Sequence, residues 1–275
     1  MSAYDIVKYP RTRHIEGSRL QAGDEDLSQV PFASLVGVEL VVEEKCDGAN
    51  SAVSFDGDGS LLLQSRGHYL TGGAREKHFN LLKQWANSHL DAFLDVLGDR
   101  FVMYGEWVYA KHTVFYDRLP HYFLEFDVYD RVTRRFLDTA SRRGLLGSLP
   151  VVSVPVLAQG TFNVLSELTD LIGPSRYIGE GHMERLRAFC EKAGEDVGRR
   201  LQETDPTTWM EGLYVKAERD GEVVDRLKYV RRSFIQCVEE SNSHWLSRSI
   251  IPNQLMYSLE SLFAPVLPVE GGSDE

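Results

Sequence analysis

One lysine, Lys45, lies in a short polar turn between two apolar segments, 38–42 and 51–55, that both predict β-strands. The turn also contains Gly48, and a glycine within a strand pattern usually marks a bulge or a close approach of the backbone to another group. A lysine presented in this way can act as a covalent nucleophile once its amine is neutral. Because free lysine has a pKa of about 10.4, burial or neighbouring cations must lower that pKa. The alternative is an exposed lysine in an ordinary hairpin.

Further polar side chains lie in apolar, strand-like segments later in the chain. Glu106 is the only acid in segment 101–108, and because burial of an unpaired carboxylate is costly, Glu106 needs a partner. Arg226 and Lys228 are two residues apart in the strand-like segment 225–231, so their side chains face the same side. The order of these residues after Lys45 favours a functional lysine over a hairpin lysine.

The remaining periodicity predicts a mixture of strands and helices. Apolar residues recur at helical spacing over 75–97, and Gly98 supplies a stop. Residues 162–203 predict further helices, with apolar side chains on one face and charges opposite. Short strands are predicted at 61–67 and 151–157.

With 275 residues, the chain can form one large domain, or one domain with a small appendage. Its hydrophobic fraction of 43% and charged fraction of 26% are ordinary for a soluble globular protein. Residues 237–275 predict a small helical cap and an acidic tail. They lack the set of short strands that an OB-fold needs.

The formal net charge of −11 argues against a protein whose whole surface binds nucleic acid. Charge is nevertheless unevenly distributed, with basic clusters at 131–135, 142–143 and 228–232. We therefore expect a groove with a locally positive floor on an acidic protein. Such a groove would bind a charged polymer weakly and with strong salt dependence.

The three cysteines, Cys46, Cys190 and Cys237, are widely spaced. They provide neither zinc-site spacing nor a self-contained disulfide framework. The longest apolar runs are far shorter than the roughly 18 residues of a membrane span, and the N-terminus lacks a signal pattern. We expect a cytoplasmic protein that does not interact with membranes.

Several of these segments resemble the motifs of one enzyme superfamily. Segment 45–50 has the pattern Lys-x-Asp-Gly-x-Asn and is similar to motif I of the covalent nucleotidyltransferases, which include ATP-dependent RNA and DNA ligases and mRNA capping enzymes. Within that superfamily, residues 5–236 most resemble the ATP-dependent RNA ligases of the class that seals duplex-like RNA ends. Later segments resemble motifs Ia (65–67), III (104–106), IIIa (126–128), IV (211–216) and V (225–231).

The resemblance implies an α+β fold. Its expected core is a nucleotidyltransferase (ATP-grasp-like ligase) domain of antiparallel sheets flanked by helices, covering residues 1–236 with a helical insertion at about 160–204. Residues 237–275 would be a short helical C-terminal appendage with an acidic tail and no OB domain. DNA ligases and capping enzymes that resemble this core normally carry an OB domain, so the lack of an OB-fold pattern in residues 237–275 favours an RNA ligase.

The resemblance also implies a role for each matching residue. Lys45 would be the nucleophile, with Asp47 and Lys228 as further catalytic residues. Phe126 would stack on adenine, a contact that is worth about 1–3 kcal/mol, while Glu44 would help to select that base. The full set of expected ATP contacts is Glu44, Lys45, Asn50, Arg66, Glu106, Phe126, Lys216, Arg226 and Lys228.

The resemblance also implies contacts with a metal ion and with RNA. Glu211 and Glu106 would hold Mg²⁺ or Mn²⁺, because Mg²⁺ prefers carboxylate and water oxygens that bridge to phosphate. An N-terminal segment lies over the nucleotide site in the resembled ligases, so Arg11, His14 and Arg19 are expected to contact ATP phosphates or an RNA end. A solvated basic arm is the alternative.

The implied reaction joins a 5′-phosphate RNA end to a 3′-hydroxyl through lysyl-AMP and adenylylated RNA intermediates. Alternatives are a DNA or mixed nick ligase, a GTP-dependent capping-type enzyme, and a non-enzymatic module that binds RNA ends or nucleotides. The sequence leaves open the natural RNA, the oligomeric state and any kinase or phosphatase partner that prepares the ends.

Two residues depart from the family pattern. Many members have lysine at the position of Arg226, and duplex-sealing members often have histidine at the position of Asp47. The roles of these two residues are therefore less closely defined by the resemblance than those of Lys45 and Lys228.

Overall fold

The structure, a computed structural model that describes residues 5–20, 27–241 and 248–265, contains two six-stranded β-sheets flanked by helices. The strands in chain order are β1 (Arg13–Ile15), β2 (Gln29–Val30), β3 (Leu40–Lys45), β4 (Ala49–Phe55), β5 (Leu61–Ser65), β6 (Phe101–Trp107), β7 (Phe123–Asp130), β8 (Arg135–Phe136), β9 (Val152–Ser153), β10 (Val156–Gly160), β11 (Gly212–Arg219) and β12 (Glu222–Val230). The predicted α+β class is confirmed.

Most strand pairs in both sheets are antiparallel. The first sheet has the order β10-β3-β11-β12-β1-β2, in which β1 runs parallel to β12 and to β2. The second sheet has the order β5-β4-β6-β7-β8, and β9 joins β7 in parallel. Consecutive strands β3 and β4 therefore belong to different sheets. The short segment between them crosses from one sheet to the other.

The helices are α1 (Asn80–Ser88), α2 (Leu90–Leu97), α3 (Thr139–Leu146), α4 (Leu165–Thr169), α5 (His182–Ala193), α6 (Val197–Gln202) and α7 (Arg232–Glu240). Short 3-10 helices form at Phe32–Leu35, Ala74–Phe79 and Leu259–Phe263. The single helix predicted over 75–97 is in fact three pieces. The break between α1 and α2 is at His89, whose buried ring donates a hydrogen bond from Nε2 to the carbonyl oxygen of Leu262, at 2.8 Å.

Helix α3 places one residue of a predicted basic cluster in the interior of the protein. Asp138 caps this helix by accepting a hydrogen bond from the backbone N–H of Ser141, at 2.8 Å. The helix then turns Arg142 inward, where it is fully buried and bonds Glu43 and Glu125. Arg231 is likewise buried and paired with Asp205. These two arginines are therefore interior charges and do not form a basic surface.

Residues 248–265 pack into the same core as the strands. The side chain of Asn253 donates to the carbonyl of Val108 and accepts from the N–H of Tyr116, at 2.7 and 2.9 Å. Leu262 is buried in the main hydrophobic cluster. The segment therefore packs directly against the strand core, and its assignment as a separate appendage stays a prediction. The acidic tail lies outside the described residues.

None of the described helices is both long and apolar enough to cross a membrane.

Candidate active site

Strand register places Lys45 on the wall of a deep cleft between the sheets. Side chains alternate along a strand, so Glu43 and Lys45 share the face of β3 that points toward the second sheet. Tyr214 of β11 lies opposite Glu43 on one side and Lys228 of β12 on the other. The cleft encloses about 1560 Å³ and is lined by residues of both sheets. Lys45 therefore lies in the interior of a site.

The amine of Lys45 forms an ion pair with a buried carboxylate. Its Nζ atom lies 2.8 Å from Oε2 of Glu211, the residue that precedes β11. Burial by itself lowers the pKa of Lys45, but the carboxylates of Glu211 and Glu106 outweigh burial, and the net pKa is raised. The expected lowering of this pKa is thus wrong for the protein without a ligand. The amine is charged and must lose its proton before it can attack.

Glu106 and Asn50 face the same region from the second sheet. They are directly opposite each other in the pairing of β4 with β6. Burial raises the pKa of Glu106 to about 8, with Glu211 adding to the rise and Lys45 opposing it. The Oδ1 atom of Asn50 is buried and accepts no hydrogen bond from the residues that the structure describes. The cleft therefore contains polar groups arranged for a ligand.

Three glycines of the predicted motifs permit close packing around this site. A Cβ atom at Gly48 would lie 2.8 Å from the carbonyl oxygen of Trp107, and one at Gly105 would lie 2.5 Å from the ring of Phe123. At Gly212 the distance to the carbonyl oxygen of Tyr229 would be 2.0 Å. A side chain at Gly48 or Gly212 would displace the backbone of a neighbouring strand, and one at Gly105 would displace the buried ring of Phe123.

A β-bulge directs Phe126 into the cleft. In the pairing of β6 with β7, Tyr104 lies opposite Asp127 and Gly105 lies opposite Glu125, which leaves Phe126 without an opposite residue. Bulges of this kind re-aim side chains and are frequent beside active sites. The ring of Phe126 lines the cleft and makes an edge contact with Tyr9, with ring centroids 5.2 Å apart. It is placed to stack on a planar ligand.

Lys216 differs from its predicted role as an ATP contact. Its side chain is fully buried, 2.8 Å from Oε2 of Glu43 and 3.3 Å from Oδ1 of Asp127, and it donates a hydrogen bond to the carbonyl of Phe126. Lys216 is not among the residues that line the cleft. It joins the two sheets behind the bulge and supports Phe126.

Arg226 is also placed away from the cleft lining. Its Nε atom lies 2.9 Å from Oδ2 of Asp127, and its guanidinium group lies 3.7 Å from the centroid of the Phe136 ring. Arg226 and Lys228 do share one face of β12, as predicted, but only Lys228 reaches the cleft. This position does not support the predicted contact between Arg226 and phosphate, because the guanidinium group is paired with Asp127 inside the protein.

The two acids that flank Lys45 have different surroundings. Asp47 accepts hydrogen bonds at Oδ2 from the backbone N–H groups of Thr113 and Val114, at 2.7 and 2.8 Å, and so anchors a neighbouring loop. Glu44 accepts a hydrogen bond from Ser175 Oγ at 2.5 Å. Burial raises the pKa of Glu44 to about 7. Selection of adenine by Glu44 and a catalytic role for Asp47 stay predictions.

The N-terminal segment contributes to the site through residues other than those expected. It forms strand β1, whose His14 is fully buried beside Lys228 and bonded through Nδ1 to Ser18 Oγ, at 2.7 Å. His14 is therefore a core residue and not a contact for an RNA end in this conformation. Arg11 and Arg19 are exposed and lie outside the cleft lining.

Other residues that were not predicted from the sequence also line the cleft, among them Tyr9, Thr12, Tyr214, His112 and Arg248. The predicted residues Arg66 and Lys228 line it as well. The phenol of Tyr9 donates to Oδ2 of Asp127 at 2.5 Å and lies 2.7 Å from the hydroxyl of Tyr214. Tyr214 lies opposite the predicted residue Lys228 in the pairing of β11 with β12, a relationship that only the sheet register shows, and no local pattern indicates Tyr9.

The carboxylates at this site suit a divalent cation that also binds water and substrate phosphate. Among residues 5–20, 27–241 and 248–265, no group of three or more His, Cys, Asp or Glu side chains is arranged to hold a metal. Mg²⁺ is commonly bound by one or two carboxylates together with water and substrate phosphates. Glu211 and Glu106 supply such a pair of carboxylates at the cleft wall.

Comparison with solved structures finds the same fold in Naegleria gruberi RNA ligase. A lysine-to-alanine variant determined with ATP and Mn has a TM-score of 0.54 and 17% identity, covering 86% of this chain and 59% of that chain. The structure with PPi has a TM-score of 0.52 and 18% identity, covering 84% and 57%. This chain thus spans little more than half the length of those proteins. No curated protein sequence matches it.

Solved structures of such low sequence identity show only the fold, but a family model identifies the family of this chain. The model described as RNA ligase matches residues 38–230, which is well over half of the chain and includes Lys45, Glu106, Phe126, Glu211 and Lys228. The chain therefore belongs to the RNA ligase family.

Proposed function

We propose that this protein is an ATP-dependent RNA ligase in which Lys45 becomes covalently bound to AMP. The observation that carries the proposal is the placement of the Lys45 amine, 2.8 Å from Glu211 in a cleft that Phe126 and Lys228 also line. Family membership and the ATP, Mn and PPi named for the Naegleria gruberi structures support it. The duplex-sealing class is part of the proposal.

In the first step, the neutral amine of Lys45 attacks the α-phosphorus of ATP. An N–P bond forms, the P–O bond to pyrophosphate breaks, and the amine proton is lost. Since Glu211 and Glu106 raise the pKa of Lys45, the amine becomes nucleophilic only when these carboxylates are otherwise engaged. Mg²⁺ or Mn²⁺ held by Glu211 and Glu106 would supply neutralisation of phosphate charge. Lys228 adds a fixed positive charge on the same wall.

The next two steps transfer AMP to RNA and then release it. The 5′-phosphate of one RNA end takes AMP from Lys45, and the 3′-hydroxyl of a second end displaces AMP as the phosphodiester forms. Phe126 would hold the adenine by stacking throughout. The chemistry requires 5′-phosphate and 3′-hydroxyl ends, so RNA with other ends would need a kinase or phosphatase. We propose a cytoplasmic location for these steps.

The direct test is labelling of the protein with ATP that carries ³²P at the α-position. We expect a labelled polypeptide from the wild type in the presence of Mg²⁺ or Mn²⁺, and none from Lys45→Ala. Lys192→Ala, which changes an exposed lysine of α5, is the matched control and should label like the wild type. Labelling of a folded Lys45→Ala protein would refute the proposal that AMP is bound covalently to Lys45.

The competing functions are separated by substrate. Labelling with GTP in place of ATP would indicate a capping-type enzyme, and sealing of nicked DNA in preference to RNA would indicate a DNA or mixed ligase. Strand joining on single-stranded, nicked and hairpin RNAs shows both activity and the preferred arrangement of ends. A protein that binds these RNAs but forms neither lysyl-AMP nor joined product would be a binding module.

A further inference from the structure

A long loop connects the two strands that carry Glu106 and Phe126. It covers residues 108–122, between β6 and β7, and it contains neither helix nor strand, although most of it is buried. A loop of this length without secondary structure is uncommon inside a compact domain and usually serves a function. Two sets of contacts connect this loop with Lys45 and with the C-terminal part of the chain.

The first set of contacts fixes Asp47. Its Oδ2 atom accepts hydrogen bonds from the N–H groups of Thr113 and Val114, and its own N–H donates to the hydroxyl of Tyr116, at 2.8 Å. Asp47 lies two residues after Lys45, in the segment that crosses from one sheet to the other. Since the loop holds both the side chain and the backbone of Asp47, its position determines the path of the chain directly after the nucleophile.

The second set of contacts joins the loop to residues 248–256, which we call the C-terminal strap. The backbones of loop and strap are paired by hydrogen bonds at several points. The N–H of Lys111 donates to the carbonyl of Ile251 at 2.8 Å, and the N–H of Leu119 donates to that of Gln254 at 3.0 Å. The strap therefore holds the loop near both of its ends.

Asn253 connects the strap to the loop through its side chain, which is almost completely buried. Its Nδ2 atom donates to the carbonyl of Val108 at 2.7 Å, and its Oδ1 atom accepts from the N–H of Tyr116 at 2.9 Å. An amide suits this place because one planar group supplies both an acceptor and donors. Loss of the amide would remove hydrogen bonds from two buried backbone groups, which is costly, so the loop would rearrange.

Tyr116 takes part in both sets of contacts. Its N–H is bonded to Asn253 and its hydroxyl to the N–H of Asp47, while its ring is fully buried. A rigid aromatic side chain therefore joins Asn253 to the residue two positions after Lys45. Precise placement matters for such a nucleophile, because a shift of about 1 Å caused by a distant substitution can lower a rate about 100-fold.

We propose that Asn253 is a positioning residue for the attack by Lys45 and that it acts through Tyr116 and Asp47. The inference rests on the proposed function, because the rate that Asn253 raises is that of lysyl-AMP formation. Neither Asn253 nor Tyr116 is among the residues that line the cleft. Asn253 therefore affects the orientation of Lys45 and not the affinity for ATP.

Single-turnover labelling with ATP that carries ³²P at the α-position tests this role. The variants are Asn253→Leu, which keeps the branched shape without polar atoms, Tyr116→Phe, and the double variant. Met256→Ala changes an exposed residue of the same strap and is the matched control. Leu168→Ala is the control for lost stability, because this buried leucine belongs to a hydrophobic cluster formed by other segments of the chain. The rate constant at saturating ATP, the labelled fraction and the Kd for ATP are measured for each protein.

We expect Asn253→Leu to lower the rate constant roughly 10- to 100-fold, with the Kd for ATP unchanged. Tyr116→Phe should lower the rate constant as well. The double variant should be no slower than the slower single variant, because both substitutions break one linkage. Leu168→Ala should reduce only the labelled fraction, and Met256→Ala should match the wild type.

Hydrogen exchange tests the same linkage without any catalysis. The amide of Asp47 should exchange about tenfold faster in Asn253→Leu and in Tyr116→Phe than in Leu168→Ala, because local opening is governed by the hydrogen bonds of that amide. Met256→Ala should exchange like the wild type. A wild type that forms no lysyl-AMP would refute the proposed function, whereas exchange would still show whether Asn253 positions Asp47.

A wild-type rate constant in folded Asn253→Leu would overturn the proposal. Losses that multiply in the double variant, a loss confined to the labelled fraction, or unchanged exchange at Asp47 would overturn it too. Thermal unfolding checks that each variant is folded. Should Asn253→Leu fail to fold, Tyr116→Phe decides the outcome: a slower rate constant with faster exchange at Asp47 supports the linkage, and wild-type values refute it.

Discussion

Lys45 Nζ and Glu211 Oε2 lie 2.8 Å apart, and the glutamate is almost completely buried. This pair joins the end of β3 to the start of β11, so the proposed nucleophile is held by the strand next to its own. A buried carboxylate beside an amine stabilises the charged form of that amine. The same contact that positions Lys45 therefore also keeps it protonated in the protein without a ligand.

Replacement of Glu211 by glutamine should lower the pKa of Lys45, since a neutral amide no longer stabilises the ammonium form. Competitive acetylation of the protein across a range of pH, with mass spectrometry of the peptide that contains Lys45, measures this titration. We expect Lys45 to react at lower pH in Glu211→Gln than in the wild type. Glu76→Gln removes the partner of a different lysine, Lys83, and should leave the Lys45 profile unchanged. Identical profiles in Glu211→Gln and the wild type would contradict the role assigned to this pair.

Arg142→Met should destabilise the protein strongly. Arg142 is fully buried between Glu43 and Glu125, and removal of one member of such a group leaves uncompensated carboxylates, at a cost of about 3–5 kcal/mol. Urea unfolding followed by fluorescence measures the change in free energy. Arg143→Met, one residue further along α3 and exposed, should change stability by no more than about 0.5 kcal/mol. Equal effects of the two substitutions would show that the interior ion pairs contribute little.

Phe126→Leu should weaken ATP binding. Loss of one stacking contact is worth about 1–3 kcal/mol, which corresponds to a roughly 5- to 150-fold rise in Kd. Calorimetric titration with ATP tests this, and leucine retains most of the packing against Tyr9. Phe136→Leu removes a ring of the same sheet that faces Arg226 outside the cleft, and its ATP affinity should equal that of the wild type. Unchanged affinity in Phe126→Leu would exclude stacking by this ring.

Glu44→Gln should reduce the pH dependence of stability. Burial raises the pKa of Glu44 from an ordinary value of 4.5 to about 7, so the folded protein retains a proton that the unfolded chain releases between these values. Wild-type stability therefore falls as pH rises from about 4.5 to 7. Between pH 5 and pH 8 the wild type should lose at least about 1 kcal/mol more than Glu44→Gln. Glu39→Gln, which changes an exposed glutamate, is the control. Parallel curves of stability against pH for all three proteins would refute the prediction.

Several residues that line the cleft could be proposed from the sequence because their signals are local. A lysine between two strand patterns and a single acid in an apolar segment are visible at Lys45 and Glu106 without knowledge of the fold, and the resemblance to motif IV added Glu211. Strand parity likewise gave the shared face of Arg226 and Lys228. The α+β class was implied by the resemblance of the motifs to those of the RNA ligases.

The burial of each side chain, by contrast, depends on which strands and helices pack together. Lys216, Arg226 and His14 have the same local patterns as cleft residues, yet packing between the sheets buries them in interior ion pairs and hydrogen bonds. The sign of the shift in the Lys45 pKa was decided by carboxylates that are 61 and 166 residues away in sequence. Burial and electrostatic fields are sums over spatial neighbours, so only the tertiary structure determines them.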